Sequence, residues 1–113
     1  MHELSLSLNI ISQLNNQQQK HAFSRVLSLR LAIGELSCVD SESLLFSFSV
    51  AAQGSCAEGC EVKIDTIEGV ASCHNCGCLF TLSRLGEACP DCGVYDSSIV
   101  AGNELNIVNI EVS

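Results

Sequence analysis

The chain has no tryptophan, and phenylalanine and tyrosine together make up only 4% of its 113 residues. A core must therefore come mainly from Leu, Ile and Val. Apolar residues at 47% supply enough of these for one domain, or for one domain with a small satellite. Positive charge is equally scarce. Five Lys and Arg stand against thirteen Asp and Glu, for a net charge of −8. Three of the five (Lys20, Arg25, Arg30) fall in one short region. So acidic a chain repels phosphate backbones, which argues against a nucleic-acid binder and favours protein partners or metal ions. Long apolar runs are missing too: each is broken by Ser, Arg or Glu well short of the roughly 20 residues a membrane helix needs. Met1-His2-Glu3 carries no basic segment of the kind that opens a secretory signal, so the expectation is a soluble, cytoplasmic protein that does not meet a membrane.

Cysteine, by contrast, is plentiful at eight residues. Without an export signal, that number points to metal binding rather than to a disulfide framework. Four cysteines form the pattern Cys73-His74-Asn75-Cys76-Gly77 and Cys89-Pro90-Asp91-Cys92-Gly93. Each Cys-x-x-Cys can wrap one edge of an ion, and the glycine after each pair lets backbone amides approach the sulfurs without a Cβ in the way. Two such knuckles close a tetrahedron whose soft thiolates suit Zn²⁺ or iron rather than Mg²⁺ or Ca²⁺. With sulfur at all four positions there is no open site for water or substrate, so Cys73, Cys76, Cys89 and Cys92 read as a structural zinc site. A lobe this small has little core of its own, and the metal supplies its folding energy. Cys78 could exchange with Cys76 but reads as a spectator, and His74 as a surface histidine. Cys60 reads as a buried structural thiol and Cys38 as an ordinary small apolar residue. Oxidation would allow a Cys56–Cys60 disulfide, which a reducing cytosol disfavours.

Around this region the pattern is α+β. Leu4, Leu8, Ile11 and Leu14 predict a helix over 4–14, fading into a polar turn at Asn15–Lys20. Strict alternation predicts a strand over 26–33, with Leu27, Leu29, Leu31 and Ile33 on one face, ended by Gly34. A second helix over 41–53 is capped by Asp40 or Ser41 and buries Leu44, Leu45, Phe48 and Ala52. Further strands follow around Cys60–Asp65 and Leu105–Val112, the last with a slip in its alternation between Ile107 and Val108. The expected architecture is a three-stranded sheet with two helices (1–69 and 99–113) carrying an inserted zinc-ribbon-like lobe (70–98).

The N-terminus is the second chemical feature. A free α-amine, the next amide nitrogen and the imidazole of residue two can chelate one ion, and that nitrogen-rich set suits Ni²⁺ or Cu²⁺. Taken with Met1-His2-Glu3-Leu4-Ser5, Gly34-Glu35, Asp40, both knuckles and Gly102-Asn103-Glu104-Leu105, the chain resembles, over its whole length, the HypA/HybF family of hydrogenase nickel-insertion accessory proteins, some of which also serve urease. The resemblance implies a nickel metallochaperone and not an enzyme. It makes His2 the central nickel ligand, with Glu3, Asp40 and backbone nitrogens from Met1 onward completing the site, and it assigns zinc to the four knuckle cysteines. It also implies a GTPase partner, delivery to the precursor of a [NiFe] hydrogenase large subunit, contact with urease maturation proteins in some members, and a monomer or weak homodimer. The extra thiols Cys38, Cys56, Cys60 and Cys78 depart from the family pattern. The competing readings are a zinc-ribbon interaction or nucleic-acid-binding module, against which the acidity argues, and a red, iron-bearing electron carrier of rubredoxin type. An enzyme fits worst, since the sequence has no open metal position and no Ser/His/Asp signature.

Overall fold

The computed structural model describes residues 2–113, the side chain of His2 excepted. Helix α1 spans His2–His21. It does not fade at Asn15: the expected polar turn is its last turn and a half. Gln and Lys are good helix formers, and the helix has its own supports here. Gln13 Nε2 donates to Asn9 Oδ1 one turn back at 2.6 Å. Gln18 Nε2 reaches past the helix end to the carbonyls of Phe23 and Ser24. Lys20 and His21 sit in the last turn, where cations complement the helix dipole. The helix closes at Ala22, which takes a left-handed φ of 54° while its N–H bonds the Gln18 carbonyl at 2.8 Å. The buried stripe is Ser7, Ile10, Ile11 and Leu14, whereas Leu4 and Leu8 lie about half exposed. Ser7 is satisfied by donating its hydroxyl to the Glu3 carbonyl at 2.8 Å.

Strand β1 (Val26–Gly34) follows, then a single 3-10 turn (Glu35–Ser37) and helix α2 (Ser41–Ala51). In β1, Leu29, Leu31 and Ile33 are buried as their alternation requires; Leu27, near the strand's start, is 52% exposed. Asp40 is the α2 N-cap, its side chain accepting the Glu42 N–H. Leu44, Phe48 and Ala52 are buried, but Leu45 is 39% exposed and leaves the expected stripe. Helix α1 packs on α2. The remaining strands are β2 (Glu61–Ile67), β3 (Val70–Cys73), β4 (Leu79–Thr81), β5 (Ser97–Ala101) and β6 (Leu105–Val112). They form two three-stranded sheets, ordered β2-β1-β6 and β4-β3-β5. The second sheet has no counterpart in the sequence patterning, because its strands are only three to five residues long.

The chain folds as two compact units. The first takes Met1–Leu31, Val39–Ile64 and Ile107–Ser113, and the second Ala32–Cys38 and Asp65–Asn106. In the second, β3 pairs antiparallel with β4 and β5, so that Phe80, Ala71 and Ile99 form one inward row. That row packs with Leu36, Leu82, Cys73 and Cys89. Two segments singled out in the sequence meet here. Gly34 N–H bonds the Glu104 carbonyl at 2.8 Å, Leu36 N–H bonds the Gly102 carbonyl at 2.6 Å, and Glu35 Oε1 accepts the Gly69 N–H at 3.1 Å. The backbones approach so closely that a Cβ on Gly34 would fall on the Gly102 carbonyl, and one on Gly102, at φ +99°, on the Gly69 Cα.

Candidate metal centre

Cys73 ends β3, and the chain reverses at once. Gly77 N–H bonds the Cys73 carbonyl at 3.0 Å, and Cys73 N–H bonds the Cys78 carbonyl at 2.9 Å. The second knuckle repeats this: Gly93 N–H bonds the Cys89 carbonyl at 2.8 Å, and Cys89 N–H bonds the Val94 carbonyl at 2.9 Å. Gly77 and Gly93 share the same left-handed φ of 75°. The two knuckles thus have one fold at two places in the chain, and each glycine is required by its positive φ.

Together they bring the sulfurs of Cys73, Cys76, Cys89 and Cys92 within 4.8 Å of one another. Cys73 and Cys92 sulfurs lie 3.5 Å apart, and those of Cys76 and Cys89 3.7 Å. Zn–S bonds of about 2.3 Å at tetrahedral angles put sulfurs about 3.8 Å apart, so the four fit zinc. Cys73 and Cys89 are buried in the unit's core, while Cys76 and Cys92 are exposed. Electrostatics agree with a cation. The Val94 N–H, with the Asn75 side chain and neighbouring thiols, outweighs desolvation and brings Cys92 down to about 7. On Cys76 the largest single influence, the Cys78 N–H, also favours the thiolate. Desolvation and hydrogen bonds from the other three cysteines together overcome it and push that thiol up to about 12. With its thiol held so high, Cys76 needs a positive charge among the sulfurs before it ionises.

Cys78 stays outside the cluster. Its thiol is pushed up to about 11, first by a hydrogen bond with Asp91 and then by desolvation, and its sulfur donates to the Leu79 carbonyl at 3.3 Å. His74 is held away from the sulfurs, with Nδ1 on Asp96 Oδ1 at 2.9 Å and Nε2 on Ser98 Oγ. Cys38 is exposed, caps the 3-10 turn at a left-handed φ of 62°, and donates weakly to the Leu36 carbonyl at 3.8 Å. Cys60 is half-buried just before β2 rather than inside a strand.

Of the nickel ligands expected at the N-terminus, Met1 and the His2 side chain lie outside the described residues. Glu3 and Asp40 are brought together across 37 positions of chain, Glu3 Oε2 accepting the Asp40 N–H at 3.3 Å. The Asp40 carboxylate in turn accepts the Glu42 N–H through Oδ1 and the Ser43 hydroxyl through Oδ2, both at 3.1 Å. Sequence pattern does not reveal the structural parts of Glu35 and Glu104. Their signal was their position beside Gly34 and two residues after Gly102.

The fold and the four-sulfur cluster define an α+β protein with a zinc-ribbon-like lobe. The profile of a family described as hydrogenase/urease nickel incorporation, metallochaperone, hypA, matches residues 1–112. The hydrogenase maturation factor HypA of Aeromonas hydrophila is 37% identical over 113 residues, all of both chains. That of Alkalilimnicola ehrlichii is 38% identical over 112 residues, 99% of each. The solution structure of the Ni metallochaperone HypA from Helicobacter pylori shares the fold, with a TM-score of 0.74 over 99% of this chain and 97% of that one at 22% identity. The chain belongs to the HypA family of nickel metallochaperones for hydrogenase maturation.

Proposed function

We propose that this chain binds one Ni²⁺ at its N-terminus and passes it to the precursor of a [NiFe] hydrogenase large subunit in the cytoplasm, together with a GTPase partner. His2 is the central ligand, joined by the amine and backbone nitrogens of Met1 to Glu3 and by the carboxylates of Glu3 and Asp40. The observation that supports this reading is the juxtaposition of Glu3 with Asp40 at the start of α2. Two carboxylates at a helix N-terminus beside the chain's own start concentrate negative charge where a cation is to be held. Asp40 keeps lone pairs beyond the two its cap bonds use, since a carboxylate accepts about four hydrogen bonds. Zinc, when bound, supplies a fixed closure of the second unit. The protein's own part there is to hold the four sulfurs and to present the surrounding surface to a partner.

A carrier must hold its ion and also let it go. Side chains gathered near a terminus can be taken apart by small movements, whereas two knuckles closed on a core cannot. The two sites therefore divide the work: zinc organises and nickel travels. The test is a calorimetric Ni²⁺ titration of zinc-loaded protein with an untagged N-terminus, beside His2→Ala. Binding of one Ni²⁺ by the parent with little or none by the variant supports the proposal. Equal binding by both, or none by either, rejects it.

A further inference from the structure

The loop between α2 and β2 carries two thiols that neither metal site uses. Cys56 and Cys60 lie in the same compact unit, and both are free and half-buried. The loop is a run of interlocked turns. Ser55 N–H bonds the Ala52 carbonyl at 2.9 Å, Glu58 N–H the Ser55 carbonyl at 3.3 Å, and Cys60 N–H the Ala57 carbonyl at 3.1 Å. Ser55 Oγ also accepts the Ala57 N–H at 3.1 Å. These turns hold Cys56 and Cys60, with three residues between them, on one short segment, and Gly59 at φ 76° turns the chain just before Cys60. The two sulfurs sense each other: the Cys60 thiol is pushed up by burial first and by the charge of Cys56 second. Cys60 also lines a cavity of about 390 Å³ with Leu45, Phe48, Ala52 and Val62. Cys56 is tied to two neighbouring elements. Its sulfur lies 3.5 Å from Asn15 Oδ1 on α1, and its carbonyl accepts the Val26 N–H of β1 at 2.9 Å.

We propose that Cys56 and Cys60 are a redox-sensitive pair that closes to a reversible disulfide within this loop when the protein meets hydrogen peroxide. Cys56 gives up its proton and attacks one peroxide oxygen, the O–O bond breaks, and a sulfenic acid and one water result. The Cys60 sulfur then attacks the Cys56 sulfur, the S–O bond breaks, and a second water leaves with the Cys60 proton. In all, two thiols lose two protons and two electrons, and one peroxide becomes two waters. Closure draws the Cys56 sulfur away from Asn15, so α1 loses a contact when the pair is oxidised. Reversible closure of this kind is compatible with a reducing cytosol, where disulfides are transient and sensing.

The experiment uses the zinc-loaded full chain, exposed to a modest excess of hydrogen peroxide, with zinc retention followed by a chromophoric chelator. The expected product has lost two hydrogen atoms and recovers them with dithiothreitol. Cleavage after Glu58 leaves its two halves joined in the oxidised protein and separates them in the reduced one. Cys56→Ser and Cys60→Ser each abolish the change, while Cys38→Ser and Cys78→Ser leave it in place. The proposal is overturned if no hydrogen is lost, if either thiol adds oxygen without closing, or if the new bond involves another cysteine. Zinc release with cross-links confined to residues 73–92 overturns it as well. None of these readouts depends on nickel.

Discussion

Asp40 uses both carboxylate oxygens to start α2, and the proposed nickel site asks the same side chain to face an ion. The two roles separate by mutation. Asp40→Ser keeps an N-cap oxygen and removes the carboxylate, so stability should hold within about 0.5 kcal/mol, as expected for a swap between preferred caps. Ni²⁺ affinity should fall, as calorimetry would read. Asp40→Ala should lose both, with about 1 kcal/mol of stability removed in a denaturant titration. If Asp40→Ser binds nickel like the parent, Asp40 is a cap and no more. Ala22 offers a separate test. It holds a left-handed φ of 54° at the end of α1, where glycine is preferred. Ala22→Gly should therefore stabilise the protein by up to about 1 kcal/mol, raising the denaturation midpoint without touching metal binding.

At the scale of the element, α2 shows how packing chooses among apolar residues that the pattern leaves equivalent. Phe48 is 4% exposed and Phe46 is 72% exposed, two positions apart on one helix. Phe48→Ala should cost about 3–5 kcal/mol, a cavity's worth of lost core. Phe46→Ala should change stability by no more than about 0.5 kcal/mol. Equal destabilisation in chemical denaturation would mean that Phe46 is covered in solution. The two cysteine knuckles are built alike, and a glycine with φ of 75° closes each one. Most of this was legible beforehand. The knuckle spacing, the two helices and the three longer strands follow from sequence pattern. The C-terminal part of α1 did not, since Asn and Gln runs read as turn until Gln18 finds carbonyls beyond the helix end. Neither did β3, β4 and β5, too short for alternation to register.

For the whole molecule, the four-sulfur cluster suits a zinc ion that the thiols must shed protons to bind, and the second unit is expected to depend on it. Its buried hydrophobic side chains are few, and two of them, Cys73 and Cys89, belong to the four-sulfur cluster. Chelation should therefore unfold this unit, seen as loss of amide-exchange protection in β3, β4 and β5 with α1 and α2 less affected. The pH dependence has a definite sign. Every ligand is bound as thiolate, so protons compete with zinc and apparent affinity falls as pH falls. With Cys92 lowered to about 7, acidification through that value adds one more proton to be displaced. Competition with a chromophoric chelator across neutral pH should show the slope steepening on the acid side. Nickel held by His2 should likewise be released as pH drops through the histidine range.

The sequence by itself determined the donor pattern: four cysteines at knuckle spacing can close on one soft ion whatever surrounds them. Local pattern also set where most helices and strands begin, because caps, alternation and glycines act over a few residues. The tertiary structure brought the four knuckle sulfurs within 4.8 Å of one another, with Cys78 outside them. It alone put Glu3 against Asp40 and threaded Gly34, Gly69 and Gly102 past one another. Those arrangements join segments 30 to 70 residues apart, as Glu3 with Asp40 and Gly34 with Gly102 illustrate. No local periodicity encodes such meetings; packing against a common core does.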